Sequence, residues 1–126
     1  MRNSIISIAL FATLLGFLFY ANGKLTGICE HILKNSEETE TLITEENWEK
    51  SYDKTVELID YIKDNSSAVA LYVNHTDFDN LNIEASKLSQ YIKYHNSEEA
   101  LASLHAIKFS TNYILDLQEV SIKNIF

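Results

Sequence analysis

Three groups of residues in this chain of 126 are of types that do chemistry. The stretch His75-Thr76-Asp77-Phe78-Asp79 sets an imidazole and two carboxylates at alternate positions. In an extended loop alternate residues point the same way, so the three could converge on a metal ion. Further ligands are needed for a site, however, and Asp77 and Asp79 read more simply as turn and cap residues. A calcium loop is excluded, because Leu81 stands where an oxygen ligand belongs and Asn82 where glycine belongs. Cys29-Glu30-His31 brings a thiol and an imidazole close in sequence, but two residues apart on a helix they point in nearly opposite directions and make no catalytic pair. Cys29 then reads as a small apolar packing residue. His105 follows Leu101 by one helical turn; it could serve as a general base, and its simpler reading is a partly buried histidine bonded to a carbonyl.

Two further groups suit binding rather than catalysis. Glu37, Glu38, Glu40, Glu45 and Glu46 could attract cations or a basic partner, or be no more than a solvated helix end. Trp48, Tyr52, Tyr91 and Tyr94 are the best candidates for a contact surface, since aromatic side chains dominate partner hot spots. Helical spacing favours core positions for Trp48 and Tyr52, while Tyr94 lies off the stripe of Leu88 and Ile92 and is the exposed ring.

The elements that must hold these residues are helices. There is no proline, and the three glycines, Gly16, Gly23 and Gly27, all lie near the start. A strand-rich domain would need turn residues at regular intervals. One cysteine cannot form an internal disulfide. The net charge is −8, and Arg2 is the only charged residue through Asn22, which leaves −9 on the rest. Such a charge repels phosphate backbones and anionic headgroups, which argues against nucleic acid as a partner and against polybasic docking on a membrane.

Ile5 to Ala21 is an uncharged apolar run. As a helix it would extend roughly 26 Å, near the lower limit for crossing a bilayer. Phe17, Phe19 and Tyr20 cluster at its far end, where rings favour the lipid–water boundary. A secretory leader has a shorter apolar region and a more basic start. Ala21 and Gly23 nonetheless satisfy the small-residue rule, so cleavage before Lys24 competes with a retained anchor; length favours the anchor. Bulky Ile28 before Cys29 argues against a lipoprotein. Arg2 and the amino terminus orient the start toward the cytoplasm. The expected organisation is a membrane anchor over 1–23 and an acidic, extracytoplasmic helical domain over 24–126.

Along that domain Leu25, Ile28, Cys29, Ile32 and Leu33 continue the helix past a kink at Asn22-Gly23, and Asn35 to Thr41 reads as its exposed polar end. Thr44 caps a second helix whose apolar stripe is Trp48, Tyr52, Val56, Ile59 and Ile62, ending near Asn65. Ser66-Ser67 is a break, Ala68–Val73 a short helix, and His75–Asn80 a loop. Leu81, Ala85, Leu88 and Ile92 mark the next helix. Asn96 and Glu99 are spaced as a capping box for the last one, whose Ala100, Leu101, Leu104, Ile107, Ile114, Leu115 and Leu117 spread over a wide face that fits packing on two neighbours. The tail Ile122–Phe126 is expected to dock on the bundle. Asn47-Trp48, Lys54 and Ile59 also align with Asn80-Leu81, Lys87 and Ile92 at a constant offset, which could mark a repeat but reads more simply as two amphipathic helices that resemble each other by chance.

The strings Asp79-Asn80-Leu81-Asn82-Ile83-Glu84-Ala85-Ser86-Lys87-Leu88-Ser89-Gln90-Tyr91-Ile92-Lys93 and Glu98-Glu99-Ala100-Leu101-Ala102-Ser103-Leu104-His105-Ala106-Ile107-Lys108-Phe109, with the ending Lys123-Asn124-Ile125-Phe126, resemble the domain-of-unknown-function 4363 family. The resemblance covers nearly the whole chain. It implies a small bacterial protein of the kind found in spore-forming anaerobes, with a retained apolar N-terminal segment and a helical remainder. It supplies no activity, cofactor or functional residue. The expectation is an all-α protein: a transmembrane helix running on into a compact antiparallel bundle of about four helices. Its expected function is non-catalytic, a module that binds or assembles with a protein partner at the envelope, in a sporulation setting if the family's company is a guide. The alternatives are an enzyme or a small-ligand or metal binder using His75, Asp77 or His105, and a cleaved, secreted helical factor.

Overall fold

A computed structural model describes residues 1–69 and 75–125, with the side chains at 121, 122 and 125 left outside. Four helices make up these residues: α1 (Arg2–Thr44), α2 (Trp48–Val69), α3 (His75–Lys93) and α4 (Ser97–Ile125). Each packs on its neighbours in sequence, and α4 closes the ring against α1. The result is an up-down-up-down bundle.

One helix, α1, does two jobs. It is continuous over 43 residues, with no break at Asn22-Gly23. Ile5, Ile8, Leu10, Phe11, Leu14 and Phe19 on its N-terminal half are exposed, and this half is long and apolar enough to cross a membrane. From Ala21 onward the same helix enters the core through Leu25, Ile28, Cys29, Ile32 and Ile43. Leu58, Ile62 and Val69 from α2, Phe78, Leu81, Ala85, Leu88 and Ile92 from α3, and Ala100, Leu104, Ile107 and Ile114 from α4 complete that core. The stripes expected on α3 and α4 are thus the buried ones, although Leu117 is 44% exposed.

Three expectations are corrected. Asn35 to Thr41 is no exposed helix end: Asn35, Ser36 and Thr39 are buried. On α2 the buried face runs through Ser51, Thr55, Leu58 and Ile62, so Trp48 moves to a half-buried shoulder and Tyr52 and Val56 are partly exposed. Both departures have one cause. Ser36 donates to the Ile32 carbonyl at 2.8 Å, Thr39 to Asn35 at 2.8 Å, Ser51 to Asn47 at 2.6 Å, Thr55 to Ser51 at 2.8 Å and Thr111 to Ile107 at 2.7 Å. A hydroxyl satisfied within its own helix can be buried without a partner from elsewhere, and then packs as a small side chain. Asn35 adds a cross-helix bond, donating from Nδ2 to the Lys54 carbonyl at 3.3 Å.

The third correction concerns boundaries. Ser66-Ser67 lies inside α2, which runs to Val69, and His75–Asn80 is the first part of α3 rather than a loop. Of the short helix expected over Ala68–Val73, residues 70–73 lie outside the described residues. The docking expected of the tail also rests on side chains outside that description. Asn80 sits within α3 whereas Asn47 precedes α2, so the aligned segments of the suggested repeat do not occupy equivalent positions.

The α1–α2 and α3–α4 turns share one construction. At the first, the Asn47 amide bonds the Leu42 carbonyl and the Glu46 amide bonds that of Ile43; at the second, Asn96 bonds Tyr91 and His95 bonds Ile92. This is the paired closure of a Schellman motif, with Glu46 (φ 58°) and His95 (φ 56°) in the left-handed region. The asparagine that ends one helix then caps the next, its Oδ1 accepting from Lys50 at 3.3 Å or from Glu99 at 3.2 Å. Asn47, not Thr44, is the cap; the Thr44 hydroxyl donates back to the Glu40 carbonyl. The Asn96 cap agrees with the expected spacing. A non-glycine residue at φ 58° is strained by its Cβ, so Glu46→Gly is expected to raise unfolding stability by about 0.5–1 kcal/mol in denaturant titration, with α-helical content unchanged.

Candidate interaction site

The two turns lie side by side at the end of the bundle far from the apolar half of α1, and they bring together aromatic residues distant in sequence. Trp48, the first residue of α2, stacks on His95 with ring centroids 4.9 Å apart and planes 6° from parallel. The left-handed backbone at His95 belongs to the turn that forms this contact. Beside the pair, a cleft of about 470 Å³ between α2 and α3 is lined by Glu49, Tyr52, Asp53, Ile92 and Lys93. Tyr94 is 76% exposed, as its position off the stripe predicts, and the Lys93 ammonium lies 6.0 Å from its ring. Tyr91 is half-buried against the core. Large rings held by short turns beside mixed charge are what a protein contact surface needs.

A second groove, about 510 Å³, runs between α1 and α2 along Glu38, Thr41, Leu42, Lys50, Asp53, Lys54 and Glu57. Lys54 lies 2.6 Å from Glu38 and 3.9 Å from Glu57. Hydrogen bonding to Lys54 and the attraction of its charge hold the Glu38 carboxyl below the ordinary range, and the same bond raises the Lys54 ammonium. Glu40 is paired with Lys108 of α4. Two of the five acids considered as a cation attractor are therefore engaged in bracing helices.

The residues singled out for chemistry are not brought together in one site. His75 and Asp77 fall in the first turn of α3, where helical geometry ends the alternate-residue alignment of an extended loop. His75 Nε2 pairs instead with Asp79 Oδ2, one turn on, at 3.3 Å. His105 is exposed on the outer face of α4, not partly buried. Among the described residues no group of three or more His, Cys, Asp or Glu side chains is arranged to hold a metal. Cys29 is fully buried and burial pushes its thiol up to about 12, with Glu30 adding to the rise. His31 faces outward instead and rests against Tyr61 of α2, centroids 4.0 Å apart.

Sequence reasoning missed the Trp48–His95 stack, because it joins positions far apart in the chain. The one available signal was the asparagine that precedes both α2 and α4.

A family model describing a domain of unknown function, DUF4363, matches residues 19–125. No curated protein and no solved structure matches the chain.

Two outcomes test the site's geometry. In a double-mutant cycle, Trp48→Ala and His95→Ala should show a coupling of about 0.5–1 kcal/mol in unfolding stability, whereas Tyr94→Ala should be additive with either. Cys29 should resist a thiol-specific reagent at neutral pH until the protein is unfolded. Its folded thiol binds a proton that the unfolded thiol releases, so the Cys29 contribution is constant below about pH 9 and is lost as pH rises toward about 12. Comparing alkaline unfolding of the native chain with Cys29→Ala checks the sign.

With the match covering most of the chain, from the end of the apolar run to the end of α4, the protein belongs to the DUF4363 family.

Proposed function

We propose that this protein is a single-pass membrane protein, its amino terminus cytoplasmic, which holds an acidic helical head outside the membrane as a non-catalytic module for a protein partner. The observation that carries the reading is the continuity of α1. Its exposed apolar half and its core-packed half are one helix, so the bundle would be rigidly coupled to whatever solvates the first twenty or so residues. Water is a poor solvent for that half, since nine apolar side chains between Ile5 and Tyr20 are exposed together. The domain division at Gly23 and Lys24 follows from the same reading, with Ala21 and Leu25 as the first core contacts.

The partner-binding half of the proposal is supported by the aromatic tip around Trp48, His95 and Tyr94, which this topology would present farthest from the bilayer. Envelope assembly, including a sporulation setting, belongs to the same proposal.

Fractionating cells that carry a C-terminal tag, then treating intact cells with protease, tests the topology. The tag should stay with membranes through an alkaline wash and be digested from outside. Tag in the medium on a chain beginning at Lys24 would replace the anchor with a cleaved leader. Tag in the membrane but protected from protease would reverse the orientation. Alanine at both His75 and His105 should leave the protein's role intact, while Trp48→Ala with Tyr94→Ala should abolish recovery of a stoichiometric partner from solubilised membranes.

A further inference from the structure

The cleft beside the Trp48–His95 stack holds two carboxylates that no cation of this chain engages. Glu49, Tyr52 and Asp53 line it from α2 and Lys93 from α3. Glu49 and Asp53 are one helical turn apart and exposed, and neither makes an ion pair among the described residues. Lys93 is the one ammonium lining the cleft; it lies 6.0 Å from the Tyr94 ring and could neutralise only one of the two. The neighbouring groove is different. There Lys54 is taken up by Glu38 and Glu57, and Asp53, which borders both grooves, pairs with neither Lys50 nor Lys54.

The lining of the cleft selects a particular cation. One face of Trp48 is covered by His95, so the open ring beside the two carboxylates is that of Tyr52, 38% exposed. A cation over an aromatic face is attracted by the quadrupole of the ring. A guanidinium can also lay its plane on that ring while its N–H fork donates to carboxylates, whereas an ammonium is a compact, strongly hydrated point charge. Buried Ile92 lines the same cleft and offers apolar surface to the methylene stem of an arginine.

Charge and composition say where the guanidinium comes from. The head carries −9, which draws basic segments toward it. Arg2 is the single arginine of the chain and lies at the far end of α1 from the two turns. Neither this copy nor a second copy tethered beside it brings a guanidinium to the cleft, so the occupant belongs to a different protein.

We infer that the cleft takes an arginine side chain from a basic segment of the protein partner, with the guanidinium stacked on Tyr52 and held by Glu49 and Asp53. This rests on the partner-binding tip proposed above and specifies the chemistry that the tip recognises.

Binding of a single arginine to the full chain in detergent tests it. The probe is N-acetyl-argininamide, compared with N-acetyl-citrullinamide, which has nearly the same shape and no charge. Fluorescence of Trp48, the one tryptophan of the chain, is the readout. A saturable change is expected with the arginine probe, and binding of the citrulline probe should be several-fold weaker. Glu49→Gln with Asp53→Asn should weaken the arginine probe several-fold, as should Tyr52→Leu, with circular dichroism unchanged in both. Asp60→Asn with Asp64→Asn removes the same charge from exposed positions farther along α2 and should leave binding unchanged. No saturable change, equal binding of the two probes, or equal losses in the two double variants would each overturn the inference. Recovery of a partner through Trp48 and Tyr94 is read separately from solubilised membranes, so a tip that holds its partner without arginine is distinguishable from a tip that holds no partner.

Discussion

The constraint on which the structure depends is that α1 does not break between its two halves. A helix exposing rings and branched side chains over its first twenty residues, then burying Leu25, Ile28, Cys29, Ile32 and Ile43, passes from one environment to another without a hinge. Three more helices are built around the second half. α2 and α4 flank it, α3 closes the far side, and the pairs Lys54–Glu38 and Lys108–Glu40 tie α1 to each flank close to its C-terminal end. Gly23 and Gly27 stand where flexibility could have entered, but helical hydrogen bonding continues through both.

The interior is held by an economy of small hydroxyls. Large aliphatic side chains make up most of the core, and Ser36, Thr39, Ser51, Thr55 and Thr111 are buried with them. Each donates to the carbonyl four residues earlier, that of the cap Asn47 for Ser51 and one in its own helix for the rest. Asn35 is the exception. Its bond to the Lys54 carbonyl crosses from α1 to α2, a directional contact beside the Lys54–Glu38 ion pair between the same helices.

Several aromatic side chains stand at or near the surface. Trp48, displaced from the axis of α2 by Ser51 and Thr55, finds His95; Tyr52 and Tyr94 remain partly or largely exposed nearby. Phe109 and Tyr113 are turned outward on α4. Among the residues that suggested chemistry, His105 lies one turn before Phe109 on the exposed side of α4. Of those, His75 is engaged with Asp79 and Cys29 is sealed in the core. Among the described residues these groups do not converge on one site.

The sequence by itself determined the helical class, the apolar segment at the start, the buried stripes of α3 and most of α4, the Asn96 cap, the exposure of Tyr94 and the family. Each of these depends on local pattern: the absence of proline, the period of apolar residues, the spacing of an asparagine from a glutamate. Only the tertiary structure decided that Asn35, Ser36 and Thr39 lie inside, that α2 turns Ser51 and Thr55 inward in place of Trp48 and Tyr52, and that Trp48 meets His95. Polarity along a chain does not reveal whether a hydroxyl is already satisfied by its own helix, and the phase of a helix is settled by the neighbours it packs against. The same reason separates α3's true start at His75 from the loop expected there, since a cap-like aspartate reads alike in a turn and in the first turn of a helix.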